Sequence, residues 1–217
     1  PGQRDMLACT LKSWRGRMSP TTDWFRRSCC RRLLPAVTFN GKERPMIIHT
    51  QRLCLRPWSD ADVPALFKLA RDPRIGMLCG WKPFERIDDA RQALSTVLAA
   101  PDSYAVTLAS TGEIVGSIAL RIDTDSPEAT VADIGYWIGA PYWGNGYATE
   151  AGHAIIERAR ELGVETIILK YFDGNDASRR VSEKLGFAWR KREEDVEYPL
   201  IGKRLTVHWT ELVLAGH

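Results

Sequence analysis

Residues Tyr136–Glu150 read YWIGAPYWGNGYATE. A β-like run from Val131 to Ile138 stops at Gly139-Ala140-Pro141; Gly144 and Gly146 follow, and a helical pattern opens behind them. A glycine pair between a strand and a helix start builds a backbone cradle for an anion. Glycine takes positive φ without steric cost and lets a ligand approach the main chain closely. The free N–H groups of the helix's first turn then face that ligand, and the helix dipole favours negative charge there. A pyrophosphate is the natural guest, and the plainer alternative is a glycine-rich turn with no ligand. The spacing is not a Walker loop, because no Gly-Lys-Ser or Gly-Lys-Thr closes it. Nor is it a dinucleotide fingerprint, because Thr149 stands where a third small residue is needed.

Outward from this stretch, period-2 and period-3.6 patterns alternate along the chain. A strand is expected at Ile47–Arg56, and a helix at Asp60–Arg71 with Ser59 as its cap, Asp62 in the capping-box position and Pro73 as its stop. A second helix is expected at Asp88–Ala99. Strands at Tyr104–Ala109 and Ile114–Asp123 flank the turn Ser110-Thr111-Gly112-Glu113, and a third strand covers Val131–Ile138. Tyr147–Leu162 reads as an amphipathic helix closed by Gly163, and Thr166–Leu169 as a buried strand. Asn175 caps a helix across Ala177–Leu185, Gly186 stops it, and strands follow near Phe187–Arg192 and Leu205–Leu214. The order β, α, α, β, β, β, α, β, α, β, β is a mixed α/β domain, not a doubly wound sheet or barrel.

The chain has 217 residues, 44% hydrophobic and 26% charged, which is globular composition. No apolar run approaches the ~20 residues of a membrane span. The net charge of +3 is unevenly placed. Residues 1–45 hold ten Lys/Arg against three Asp/Glu, and residues 46–217 hold twenty against twenty-four. The first 45 residues carry no sustained period and read as a basic, solvated extension of a domain that begins at Met46. Nucleic-acid contact is expected only through that arm. Cys9, Cys29, Cys30, Cys54 and Cys79 are an odd count with no C-x-x-C pair, which favours neither a disulfide framework nor a zinc site. Free thiols fit a reducing, cytoplasmic compartment. His49, His153, His208 and His217 lack ligand-like spacing, so no metal is expected.

The order and four segments resemble the GNAT acetyltransferase superfamily, nearest the RimJ/RimL branch that acetylates N-terminal alanine of ribosomal proteins. The segments are TQRLCLRPWSDADVPAL (Thr50–Leu66), GEIVGSIAL (Gly112–Leu120), ADIGYWIGAPYWGNGYATEA (Ala132–Ala151) and GNDASRRVSEKLGF (Gly174–Phe187). Each alone is a weak signal, and their order carries the likeness. The resemblance implies a twisted, mostly antiparallel sheet with flanking helices and a splayed parallel pair, Val131–Ile138 and Thr166–Tyr171. It implies acetyl-CoA as cosubstrate and direct acetyl transfer to a primary amine, either a protein N-terminus or a small molecule. A non-catalytic acyl-CoA sensor is the alternative from another class. A monomer or homodimer without a membrane partner is expected.

Carried over by position, Trp137, Ile138 and Gly139 would meet the acetyl group and pantetheine amides. Trp143, Gly144, Asn145, Gly146, Tyr147 and Ala148 would hold the pyrophosphate, and Asn175 the cofactor arm. Ser178, beside the sulfur by resemblance, is the candidate to protonate or orient the leaving thiolate, with an ordinary first-turn helix residue as its alternative. Asp133, where the family often has Glu, is the candidate base, with an ordering role as its alternative. Glu150 reads as a capping or dipole residue, and Tyr136 as packing in the sheet or lining the acceptor pocket. Trp58, Trp81 and Phe84 would wall the acceptor site. Pro141 departs from the Gln or Arg frequent at its position, which matters little if the loop binds through backbone N–H groups.

Overall fold

Leu53 and Leu55 alternate with Cys54 and Arg56, and both leucines are fully buried, as a strand with one core-facing side requires. In the computed structural model, which describes residues 46–122 and 130–214, this strand belongs to an eight-stranded sheet of order β1-β2-β3-β4-β5-β6-β8-β7. The strands are β1 (Ile48–His49), β2 (Leu53–Pro57), β3 (Ser103–Leu108), β4 (Ile114–Ile122), β5 (Val131–Ile138), β6 (Thr166–Phe172), β7 (Ala188–Tyr198) and β8 (Lys203–Val213). Five helices accompany them: α1 (Val63–Ala70), α2 (Pro73–Cys79), α3 (Ile87–Ser95), α4 (Tyr147–Glu161) and α5 (Asp176–Lys184). Neighbouring strands pair antiparallel except β5 and β6, which run parallel. The basic extension expected at residues 1–45 and the Asp123 end of its strand lie outside the described residues.

Three local expectations are corrected. The strand expected over Ile47–Arg56 is two strands, because the chain reverses at Thr50. Its N–H donates to the Leu53 carbonyl at 2.9 Å, and its Oγ1 accepts from the Leu53 N–H at 2.9 Å. The helix expected from Asp60 begins as one 3-10 turn, Asp60–Asp62, with α1 behind it. Here Asp62 accepts from Ser59 N at 2.8 Å and holds the Arg56 guanidinium with both oxygens, at 2.7 and 2.8 Å. Pro73 does not merely end that helix; it opens α2. Asp72 is the cap, accepting from Arg74 N at 3.0 Å, and Gly80 closes the helix at φ 78°. A proline's fixed φ suits a first helical position as well as it forbids a central one.

The register of β5 and β6 positions the site. Pairing runs from Val131↔Thr166 to Ile134↔Leu169 and stops, although β5 continues to Ile138 and β6 to Phe172. Beyond Ile134 and Leu169 the two strands part. One core lies on the α4 side, where Ile118, Leu120, Ala132 and Ile134 meet Ala151, Ile155 and Ala159. A second gathers Val63, Leu66, Ala70 and Ala90, with Trp58, Trp81, Phe84 and Trp137 packed against it.

Gly152 lets α4 approach α5. A Cβ there would lie 2.6 Å from Leu185 Cδ1 and 3.4 Å from its Cγ, so the whole buried side chain would have to move. Gly152→Ala is expected to cost about 1–3 kcal/mol, the usual range for overpacking, read as a lower urea midpoint with an unchanged far-ultraviolet circular dichroism spectrum. No helix among the described residues is long and apolar enough to cross a membrane.

Candidate active site

The glycine turn sits where the sequence places it. Gly139 N still bonds the Val115 carbonyl at 2.8 Å, a 3-10 turn covers Ala140–Tyr142 with Pro141 inside it, and α4 starts at Tyr147. Gly144 and Gly146 both take φ 79°. Gly144 faces open space, so its role is conformational rather than a matter of room. Gly146 is the α4 N-cap and brings no side chain to the first-turn N–H groups. The Trp143 indole pins the loop, donating to the Ile138 carbonyl at 2.7 Å, and Asn145 Nδ2 donates to the Tyr142 carbonyl at 3.0 Å. Uncapped N–H groups at the positive end of a 15-residue helix fit a diphosphate.

Glu150 does more than face the helix dipole. Its carboxylate accepts from Thr50 Oγ1 at 2.6 Å, Arg52 N at 2.8 Å and Arg52 Nε at 2.7 Å. These bonds tie the first turn of α4 to the β1–β2 turn, and the Arg52 guanidinium lies 4.9 Å from the Tyr147 ring centroid.

At the head of the strand gap, Asn175 caps α5 by accepting from Ser178 N at 3.1 Å, which leaves its Nδ2 for other partners. Ser178 Oγ lies 2.8 Å from Tyr136 Oη. Burial pushes the Tyr136 phenol up to about 12, so it is neutral and carries a proton at physiological pH. The sequence placed Tyr136 in the sheet but carried no signal that α5 would set Ser178 against its hydroxyl. Burial likewise pushes the Cys79 thiol up to about 12, and its Sγ lies 4.0 Å from the Tyr136 carbonyl. A thiol so held is a poor nucleophile.

Asp133 lies on the other face. Successive strand residues alternate sides, so Tyr136 shares Ser178's face, while Asp133, Gly135 and Trp137 point away. Arg121 clamps the Asp133 carboxylate through Nη2 and, at 3.1 Å, through Nε. Lys170 Nζ stands 3.2 Å from Oδ2, an ion-pair contact without hydrogen-bond geometry. Burial alone would raise this carboxyl's pKa, but Arg121 and Lys170 together hold it below the usual carboxylate range. An anion stabilised in this way takes up a proton poorly at neutral pH. Trp137 shares its side with two of the aromatics expected to wall the acceptor site: Trp81 is 6.5 Å from it edge-on, and Phe84 is 5.4 Å from Trp81.

Among the carboxylates held low, three are at least partly buried: Asp62, held by Arg56 and Ser59, Glu150, by Thr50 and Arg52, and Asp133, by Arg121 and Lys170, each against its own desolvation. A depressed folded pKa contributes stability above the unfolded value, ~4, and loses it as pH falls through the folded one. The urea midpoint is therefore expected to hold from pH 7 to pH 5 and to drop steadily below about pH 4. Asp62→Asn should flatten part of that drop.

Among the described residues no group of His, Cys, Asp or Glu has a metal-ligating arrangement. His208 instead bonds Asp173 at 2.8 Å and stacks on Tyr171, centroids 5.0 Å apart.

Residues 52–188 match the family model described as an acetyltransferase (GNAT) domain. The uncharacterized N-acetyltransferase YoaA of Bacillus subtilis is 28% identical over 147 residues, covering 65% of this chain and 82% of that protein. Among solved structures, a GNAT-family acetyltransferase from Bacillus anthracis superposes with a TM-score of 0.69 at 22% identity, over 77% of this chain and 98% of that one. RimL, a ribosomal L7/L12 α-N-protein acetyltransferase, superposes at 0.66 and 21% identity, over 78% and 94%. At these identities the structural likenesses show the fold.

Proposed function

The chain belongs to the GNAT acetyltransferase family, and on that premise we propose that it acetylates the α-amine of protein N-termini, as the RimJ/RimL branch does, through a proton relay from Tyr136 to Ser178. The observation that carries this reading is the 2.8 Å contact between the Ser178 and Tyr136 hydroxyls at the head of the gap between β5 and β6. Acetyl-CoA, when bound, supplies an activated acetyl thioester.

The chain's own groups have these tasks. The backbone N–H groups of Trp143, Gly144, Asn145, Gly146, Tyr147 and Ala148 hold the diphosphate. The edge of β5 at Trp137, Ile138 and Gly139, beyond the last pair with β6, meets the pantetheine amides and the acetyl oxygen; the Gly139 N–H is held by the Val115 carbonyl and the Ile138 carbonyl by Trp143, which fixes the edge. Asn175 offers Nδ2 to the arm. Ser178 gives its proton to the leaving thiolate and regains one from Tyr136, and the proton that the amine nitrogen sheds as the amide forms passes through water to Tyr136, which restores the neutral phenol that burial favours. Asp133 was a candidate base; its ion pairs support the ordering role instead, with Arg121 and Lys170 as the groups it orders. Cys79 supports direct transfer over an acyl-enzyme, because its thiol is too weakly acidic to attack.

Without a strong base the acceptor must supply its own neutral amine. A terminal α-amine has a pKa of about 7.7–8.0 and a lysine side chain about 10.4, so the α-amine is neutral hundreds of times more often at pH 7. Purified protein given N-terminal Ala or Ser peptides is expected to outpace the same protein given lysine side chains or polyamines, read as thiol release. Faster acetylation of polyamines or amine antibiotics would move the assignment to small-molecule acceptors.

A further inference from the structure

Among the described residues, the sheet face that carries Asp133 holds an excess of positive charge at the place where β5 and β6 part. Gly135 is the first residue of β5 beyond the parallel pairing, and Lys170 the first of β6. The Arg121 guanidinium occupies the space over Gly135, where a Cβ would meet Nη2 at 2.6 Å. Among the described residues, Arg121 and Lys170 both converge on the single carboxylate of Asp133, two positive charges against one negative. The other carboxylates on this side have their own cations: Glu211 is bound by Arg190, and Glu193 lies 3.6 Å from Lys191. Lys170 Nζ and Lys191 Nζ each stand 4.4 Å from the Trp209 ring centroid, so the cationic strip extends across β8 to β7. Arg121 is 38% exposed and Lys170 21%, so both heads are within reach of a ligand. The Trp209 indole N–H is buried with no acceptor, an unmet donor on the same strip.

We infer that this strip binds a carboxylate on the acceptor, so that the preferred substrates are amines carrying a nearby negative charge. The inference rests on the transferase reading above and narrows its acceptor class. The carboxylate comes from an acidic residue just behind a peptide N-terminus, or from the α-carboxylate of a free amino acid. Opposite charges across such a site favour the right partner and disfavour a like-charged one. The same excess charge disfavours a protonated amine beside it, which helps present the neutral nucleophile. A polyamine meets repulsion at both ends.

The test measures acceptor binding and turnover side by side. Three peptide amides begin with Ala and continue with Asp-Glu, Ser-Gln or Lys-Lys; glycine is compared with glycinamide, per neutral amine. Calorimetric binding to CoA-saturated protein gives Kd, and thiol release gives kcat/KM. The acidic peptide is expected to exceed the neutral one by about tenfold, chiefly in Kd and KM, with the basic peptide weakest and the spread narrowing at high salt. Lys170→Gln should collapse the preference and Lys170→Glu reverse it, with Arg121→Gln as a second removal. Acetyl-CoA affinity and circular dichroism show that each variant is folded. A preference confined to peptides names the side-chain carboxylate, and glycine above glycinamide names the α-carboxylate; either supports the inference. Equal binding of the three peptides, or a preference that survives Lys170→Glu, overturns it. If no acceptor turns over, the transferase reading fails separately, and the binding arm still decides this one.

Discussion

Ser178→Ala is expected to lower kcat for acetyl transfer by about 10²-fold, the ordinary contribution of a positioned acid, while acetyl-CoA Kd moves by no more than a few fold. Ser178 sits in the first turn of α5, and its backbone N–H, not its hydroxyl, makes the Asn175 cap. Removing Oγ therefore spares the helix start and deletes only the contact to Tyr136. Tyr136→Phe keeps the ring in the sheet and removes the other half of the pair. It should cost about tenfold, because Ser178 retains its proton but loses the group that replaces it. The double variant should be little worse than Ser178→Ala alone, since residues acting in series are not additive. Independent, multiplying losses would place Tyr136 outside the relay. A loss appearing wholly in acetyl-CoA Kd would make Ser178 a binding residue instead.

Gly146→Val should raise the Kd for acetyl-CoA by about 10- to 100-fold. At φ 79° a β-branched residue is strained by about 1–3 kcal/mol, and the chain relieves that strain by turning the peptide units that form the cradle. Gly112→Val is the control. It has φ 73° and open space around it but lies in the β3–β4 turn, so it should lose similar stability and leave acetyl-CoA binding alone. S-acetyl-pantetheine, which lacks the diphosphate, supplies the second control: Gly146→Val should hardly change its turnover. Equal losses with both thioesters would mean that the substitution disturbs the whole site rather than the anion cradle.

Much of the architecture was legible because local signals coincided. The alternation of Leu53 and Leu55, the glycines ending α4 and α5, and Asn175 at a helix start each reported a structural need that one or two residues meet. The Thr50 reversal was hidden because a threonine side chain closes the turn, with no glycine or proline to announce it. Helix α2 was hidden for the opposite reason: Pro73 is a stop signal in one context and a start signal in another, and Asp72 decided which. In the candidate site, the glycine turn before α4 could be read because its residues are contiguous. The Tyr136–Ser178 contact joins residues 42 apart, and the Arg121–Asp133–Lys170 cluster joins three strands, so neither leaves a trace in local spacing. Asp133 shows the cost. Its position proposed a base, while its two cationic partners, visible only in three dimensions, support a counter-ion.

The most direct measurement is thiol release from acetyl-CoA by the purified full chain, with mass-spectrometric detection of acetylated product, across N-terminal Ala and Ser peptides, amino acids, polyamines and amine antibiotics. The account predicts turnover with peptide α-amines, abolished to within about a hundredth by Ser178→Ala. Tight acetyl-CoA binding with no acetylated product from any acceptor, or full activity in Ser178→Ala, would contradict it.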